Sequence, residues 1–443
     1  MQTGDDQRRT NLRQRAALPL LIFVIHVAVP ASPVLAMMGA HWLAPRPATR
    51  QPIEDPDGRA LFSFHQALAQ TLARGKNGEG AAITRIIHYG DSHVAADLMT
   101  GALRGYFQRD FGQAGPGFIL AGRPWPWYRP SEVESGASAG WQVNGLGQAA
   151  LASDGEYGLA GLSLSTERAG ERLWLATACE RFVFYLLKQP GGGAVEVLLD
   201  GGTVHYSVSL ASPQAEAAYL EVEAGDDRPH LIELRTVRPG RVRVFGVVAE
   251  RNQSGVVYDA LGINGARATR PLAWDWQILA SNLRRRDPDL IIVAYGSNEV
   301  GDVDLDLIEY GREFSELLRR LRGAAPRASL LVIAPPDRGV REGRRWRTMR
   351  AMPGLVAVQR QAALEAGAAF WDLFHAMGGG GSIEGWARRS EPLAQPDRVH
   401  LTRFGYQSVA EMLYPELMGG FLQSVWQTIR NEWELHWEKP LSK

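Results

Sequence analysis

A chain of 443 residues with 45% apolar side chains is long enough for two or three domains and too apolar for general disorder. Lysine plus arginine equals aspartate plus glutamate at 48 each, which removes any global electrostatic case for nucleic acid or an anionic membrane surface. A single cysteine, Cys179, excludes an intrachain disulfide and a cysteine-built metal site.

At the N-terminus, Arg8, Arg9, Arg13 and Arg15 precede the apolar run Ala16 to Val29, and Val34-Leu35-Ala36 fits a small-x-small cleavage site. The run is shorter than the ~20 residues of a spanning helix, and Pro19, His26, Pro30 and Pro33 interrupt it. Residues 1–36 therefore read as a signal peptide or a retained anchor, and either places the folded part outside the cytoplasm, in the periplasm or beyond. Residues 37–60, with Pro45, Pro47, Pro52 and Pro56, read as a linker.

Leu61 to Ala73 predicts an amphipathic helix, and Ile83 to Tyr89 a short buried strand. Gly90-Asp91-Ser92 breaks that strand, and Val94 to Phe111 carries apolar positions at helical spacing. Trp125, Trp127 and Tyr128 follow among prolines. From there to residue 252 the texture changes to short alternating segments divided by turns such as Pro190-Gly-Gly-Gly193, with no helical pattern between them. That texture predicts a β-sandwich inserted at 125–252 between two parts of another domain, 61–124 and 253–443.

Strands then alternate with helices: Val256 to Ala260, a helix over Trp274–Arg286, Leu290 to Tyr295, and a helix over Leu305–Arg322. Ser329 to Ala334, a helix over Leu355–Ala366, the strand Ala369 to Leu373 and helices from Arg403 complete the series. Such alternation predicts an α/β domain with a parallel sheet flanked by helices on both faces. The glycines 378–381 lack the Lys-Ser/Thr of a phosphate cradle.

Polar residues cluster where strands end, which is where open α/β sheets place ligands. They are Gly90-Asp91-Ser92, Asn264-Gly265, Gly296-Ser297-Asn298 and Asp397-Arg398-Val399-His400. Serine acyl chemistry needs a hydroxyl, an imidazole to take its proton and a carboxylate to orient the imidazole. Ser92, His400 and Asp397 supply that set, and the N–H groups of Ser92 and Gly265 with the Asn298 amide supply donors for an oxyanion. Each residue also has an ordinary reading as a turn, a loop or a helix start. Metal binding by His88, Asp91 and His93 is disfavoured, because strand alternation separates His88 from its neighbour and the turn scrambles the rest. No metal or cofactor is expected. The arginines 338, 341, 344, 345, 347 and 350 read as a solvated loop and helix face, or as a contact for an anionic glycan. Trp125, Trp127 and Trp141 read either as a sugar platform or as buried at the domain junction.

Gly90-Asp91-Ser92, Gly265, Gly296-x-Asn298 and Asp397-x-x-His400 resemble the four blocks of the SGNH (GDSL-type) hydrolases, over residues 80–120 and 255–415. Gly262 rivals Gly265 for the second block, but Gly265 fits the pattern better. The Gly-x-Ser-x-Gly elbow of α/β-hydrolases is absent, in agreement. Gly90 to Asp97, Gly115-Pro-Gly117, Gly262 to Ala266 and Phe370 to Gly378 more narrowly resemble periplasmic peptidoglycan O-acetylesterases, in which a carbohydrate-binding-like β-sandwich interrupts the hydrolase domain. The resemblance implies an exported, monomeric serine esterase whose partner is an acetylated glycan, acting through Ser92, Asp397 and His400. An O-acetyltransferase with the same residues and a non-catalytic glycan-binding protein are the alternatives.

Overall fold

A computed structural model of the chain describes residues 51–77, 80–145, 154–202 and 204–437. The segment read as signal peptide or anchor, and the linker up to residue 50, lie outside the described residues. Among the described residues no helix is long and apolar enough to cross a membrane.

In chain order the first elements are α1 (Phe62–Asn77), β1 (Ile83–Gly90), α2 (Ser92–Ala95) and α3 (Met99–Phe111). Next come β2 (Gly117–Ile119), β3 (Glu134–Ala137), β4 (Gln142–Asn144), β5 (Ser163–Thr166), β6 (Arg172–Ala178) and β7 (Arg181–Lys188). They are followed by β8 (Ala194–Leu199), β9 (Val204–Ser209), β10 (Glu216–Glu223), β11 (Pro229–Arg238) and β12 (Val242–Glu250). The helical texture resumes through β13 (Gly255–Gly262), α4 (Trp276–Arg286), β14 (Leu290–Ala294), α5 (Leu307–Ala324) and β15 (Ser329–Ile333). A hairpin, β16 (Gly339–Glu342) and β17 (Arg345–Thr348), precedes α6 (Met352–Glu365) and β18 (Ala369–Trp371). The short α7 (Leu373–Ala376) and α8 (Ser382–Ala387) lead to α9 (Arg403–Trp437).

β13, β1, β14, β15 and β18 form one sheet in that order, every pair parallel. β14 and β15 read Leu-Ile-Ile-Val-Ala and Ser-Leu-Leu-Val-Ile, continuous apolar runs that suit a strand covered on both faces. Ile87, Tyr89, Ile291 and Val293 pack with Leu283, Phe314, Leu317 and Leu355 of α4, α5 and α6. Alternation sends His88 and Tyr258 the other way, where Tyr258 meets Phe107 of α3. α4 and α5 start on side-chain caps: Asp275 accepts from the Ile278 N–H at 2.9 Å, and Asp306 from Ile308 at 2.8 Å.

The stretch Val94–Phe111 is not one helix. Asp97 adopts a left-handed φ of 50°, and its carboxylate accepts from the Thr100 hydroxyl at 2.6 Å and from Arg104 at 2.8 Å. A side chain that bonds its own neighbouring turn competes with helix continuation, so α2 ends and α3 restarts.

The strands between residues 117 and 250 form two antiparallel sheets, β10-β7-β12-β5-β4 with β2 paired to β12, and β3-β6-β11-β8-β9. Phe182, Phe184 and Leu186 of β7 point between these sheets with Leu175, Val197, Ile232 and Val244. Val183, Tyr185 and Leu187 point the opposite way and join the core of the parallel-sheet domain. One strand thus serves two cores, which is why its sequence runs apolar without alternation. Each such side chain contributes roughly 1.5–3 kcal/mol on burial.

A buried ionic network crosses the same seam. Arg286 of α4 donates to Asp259 of β13 at 2.6 Å and to Glu250 of β12 at 2.5 Å. Glu250 also accepts from Arg85 of β1 at 2.8 Å, and Asp259 accepts from the Phe118 N–H of β2 at 2.8 Å. Burial alone would raise the Glu250 carboxyl, but the guanidinium groups of Arg286 and Arg85 hold it far below the carboxylate range.

Candidate active site

β1 ends at Gly90, where any Cβ would lie 2.3 Å from a Val94 methyl and 2.8 Å from the Ala294 carbonyl oxygen. At the paired end of β13, a Cβ on Gly262 would lie 2.1 Å from the Ala95 nitrogen. The two glycines let α2 settle directly onto the carboxyl edge of the sheet. Asp91 caps that helix, its Oδ1 accepting from the His93 N–H at 2.9 Å. Ser92 is the first helical residue, so its own N–H has no partner within the helix.

Ser92 Oγ lies 3.0 Å from His400 Nε2, and His400 Nδ1 lies 2.7 Å from Asp397 Oδ2. The other carboxylate oxygen of Asp397 accepts from the backbone N–H of Val399 at 2.9 Å and of His400 at 3.0 Å. Partial burial would raise the Asp397 carboxyl, yet the His400 ring and these two N–H groups draw it below the ordinary carboxylate value. The 394–401 loop is closed on itself by the Gln395 N–H donating to the His400 carbonyl at 2.8 Å, and Arg398 makes the tight turn with φ 55°.

Gly265 sits in the turn after β13 with φ 74°, and the Ile263 N–H donates back to the Gly90 carbonyl at 3.0 Å. Asn298 follows β14, the other neighbour of β1. Its Nδ2 donates to the Ala266 carbonyl at 2.9 Å, which leaves a second amide hydrogen. The next residue, Glu299, is buried and accepts from the Ala268 N–H at 2.8 Å. Adjacent parallel strand ends thus hold the Ser92, Gly265 and Asn298 loops together.

Several side chains support the site in ways the sequence pattern did not assign. Asp91 is buried, and burial, with the neighbouring Glu299 charge, pushes its carboxyl up to about 7 against the opposing pull of the His93 N–H and Arg338. Glu299 is raised in the same direction by burial. His93, adjacent to the nucleophile block, packs its ring 5.6 Å from that of His400 and lies 2.9 Å from the Tyr406 hydroxyl. Burial and the nearby His400 lower it to about 3, so it stays neutral. His88 instead meets the Tyr258 hydroxyl at 2.9 Å. His88, Asp91 and His93 do not converge, and no group of three or more His, Cys, Asp or Glu among the described residues could hold a metal ion.

A cleft of about 790 Å³, open solvent included, runs from Val94 and Asp97 past Arg104 and Tyr258 to Trp125 and Trp127. Trp125 is buried at 8% exposure, whereas Trp127 is 69% exposed; Trp141 is half-buried and donates to the Arg172 carbonyl at 3.2 Å. The arginines 338–350 form neither a simple loop nor a helix face: Arg341, Arg345 and Arg347 lie in the β16–β17 hairpin. Arg338 at its base donates to the Ser297 carbonyl.

Residues 225–408 match the GDSL-like Lipase/Acylhydrolase family. That range holds Gly265, Asn298, Asp397 and His400 and excludes Ser92, which the inserted strands separate from them. No curated protein sequence matches the chain. Among solved structures, a peptidoglycan O-acetylesterase superimposes with a TM-score of 0.69 at 22% identity, covering 84% of this chain and 99% of that one. At that identity the likeness shows the fold alone, a parallel α/β sheet flanked by helices with an inserted antiparallel β domain. A family two carbohydrate esterase from Cellvibrio japonicus covers 65% of this chain and 98% of its own at 14% identity, with a TM-score of 0.27. An acetylxylan esterase from Geobacillus stearothermophilus covers 37% of this chain and 72% of its own at 21% identity, with a TM-score of 0.28.

Proposed function

We propose that this chain, in which residues 225–408 match the GDSL-like acylhydrolase family, is a hydrolase of the SGNH type and an exported esterase that removes O-acetyl groups from a cell-wall glycan. The observation that carries the reading is the unbroken relay from Ser92 Oγ through the His400 ring to the Asp397 carboxylate. In that reading His400 Nε2 takes the Ser92 proton as Oγ attacks the acetyl carbonyl. Asp397 keeps the other ring nitrogen protonated and stabilises the imidazolium. The N–H groups of Ser92 and Gly265 and the free amide hydrogen of Asn298 receive the oxyanion, each such donor lowering the barrier by about 3 kcal/mol.

Collapse of the tetrahedral adduct breaks the bond to the sugar oxygen, which leaves with the proton from His400. An acetyl group remains on Ser92. Water, deprotonated by His400, then attacks this ester, and acetate departs as Ser92 recovers its proton. Side-chain exposures of 37% for His400 and 45% for Asp397 leave water a path to the general base, which supports the hydrolytic reading. The exposed indole of Trp127 lines a cleft that begins at α2 beside Ser92 but is not lined by Ser92, Asp397 or His400, and it supports a glycan substrate only as an outlying surface for a sugar face. The peptidoglycan O-acetylesterase likeness points the substrate toward the periplasmic wall.

The experiment is acetate release from O-acetylated peptidoglycan and from p-nitrophenyl acetate by wild type and Ser92→Ala. Undiminished release by the variant would remove the proposal. Acetylated oligosaccharide exceeding free acetate, with an oligosaccharide acceptor present, would make the chain a transferase instead.

A further inference from the structure

Within a chain of zero net charge, residues 338–350 hold six arginines against the single acid Glu342. Pairing Arg341 with Trp346 and Glu342 with Arg345 across the hairpin assigns its two faces. Arg341 and Trp346 share the face toward the His400 loop, where the Arg398 guanidinium lies 5.2 Å over the Trp346 ring. Arg345, Arg347 and Glu342 share the outer face, and Arg344 stands at the turn.

Of these cations, Arg347 is paired with Glu342 at 3.0 Å and Arg338 is bound to the Ser297 carbonyl. Arg341, Arg344, Arg345 and Arg350 are exposed, and among the described residues none of them forms an ion pair. The hairpin base is fixed to both halves of the site. The Gly339 N–H donates to the Arg398 carbonyl at 2.8 Å, between Asp397 and His400, and Arg338 reaches the loop that carries Asn298. Arg398 itself is neutralised by Glu384 at 2.7 Å. The positive charge of these four arginines therefore stands at the rim of the Ser92–His400 site and, among the described residues, meets no carboxylate, Arg341 donating only to the Gly343 carbonyl at 3.3 Å.

We propose that this hairpin is a docking surface for a polymer bearing carboxylates near its acetyl ester, the kind of anionic glycan whose peptide stems or acidic sugars flank the scissile group. The proposal rests on the esterase reading above and narrows its substrate from any acetylated glycan to a charged one. A guanidinium presents a planar fork that matches a carboxylate through two parallel hydrogen bonds. A single exposed pair of that kind is weak, but several made to one chain act together because the first contact raises the local concentration for the rest. A neutral acetylated polysaccharide offers these side chains hydroxyl and ester oxygens but no carboxylate to match the fork.

The test compares wild type with Arg341→Gln/Arg344→Gln/Arg345→Gln on O-acetylated peptidoglycan, on neutral acetylated xylan and on p-nitrophenyl acetate. The expected result is a roughly tenfold fall in kcat/KM on peptidoglycan relative to both uncharged substrates, and loss of the wild type's sensitivity to added salt. An unchanged ratio would overturn the proposal, and so would an equal fall on all three substrates, since the arginines would then merely support the fold. Cosedimentation with peptidoglycan in a Ser92→Ala background separates the two readings. An esterase that fails to hydrolyse anything can still lose peptidoglycan binding with the triple substitution, and binding unaffected by it would end the docking proposal alone.

Discussion

Ser92 Oγ and His400 Nε2 stand 3.0 Å apart although 308 residues separate them along the chain. The contact forms because β1 delivers Ser92 to the carboxyl edge of the parallel sheet while the loop ahead of α9 folds back over that edge. Nothing local to either residue could create it.

If that contact is the proton-transfer path, Asp397→Asn should retain the fold and lose about 10³–10⁴-fold in kcat by favouring the wrong His400 tautomer. Steady-state turnover of p-nitrophenyl acetate, read beside an unchanged thermal unfolding curve, checks it. A loss below tenfold would leave Asp397 out of the relay.

Asn298→Ala is expected to lower kcat by about 10²–10³-fold with KM nearly constant, as for removal of one oxyanion donor. Because the same amide holds the Ala266 carbonyl, a rise in KM with kcat intact would instead show that Asn298 only shapes the Gly265 loop.

Asp91, pushed up to about 7 chiefly by burial, makes stability depend on pH. In the unfolded chain its carboxyl ionises near 3.9, so between about pH 4 and 7 folding takes up a proton. Stability from this residue is full below the unfolded value and is lost as pH rises through the folded one. Asp91→Asn removes the titration, so the stability gap between wild type and variant should move against wild type from pH 5 to pH 7.5, by up to about 2–3 kcal/mol. Urea unfolding at several pH values reads the gap; a gap independent of pH would contradict a buried, protonated Asp91.

Arg286→Met should destabilise the protein by about 3–5 kcal/mol, since it strands the buried carboxylates of Asp259 and Glu250 without their shared cation. Denaturant unfolding measures the loss. Adding Asp259→Asn and Glu250→Gln to Arg286→Met should recover much of it, and a single substitution costing under about 1 kcal/mol would show that water reaches the network.

The helix restart at Asp97 and the arginine hairpin were not legible from periodicity. Apolar spacing continues through residues 94–111, and only the Asp97 carboxylate, turned to Thr100 and Arg104, breaks it. Arginines 341–347 carry no strand pattern of their own, and the turn at Gly343 with the anchorage of Gly339 on Arg398 makes the hairpin. Glu299 was equally silent, although it directly follows Asn298, because its interest lies in being buried rather than in its spacing.

By itself the sequence determined the alternation of parallel strands and helices, the interruption by antiparallel strands and the set of polar clusters that follow apolar strands. Those are consequences of side-chain periodicity and turn chemistry, which act over a few residues. Only the tertiary structure decided that β7 serves two cores, that Arg286 joins three segments at the seam, and that Ser92, His400 and Asp397 make one hydrogen-bonded line. Each depends on groups far apart in the chain meeting at distances near 3 Å, and the burial that gives such contacts their strength exists only once the whole domain has closed around them.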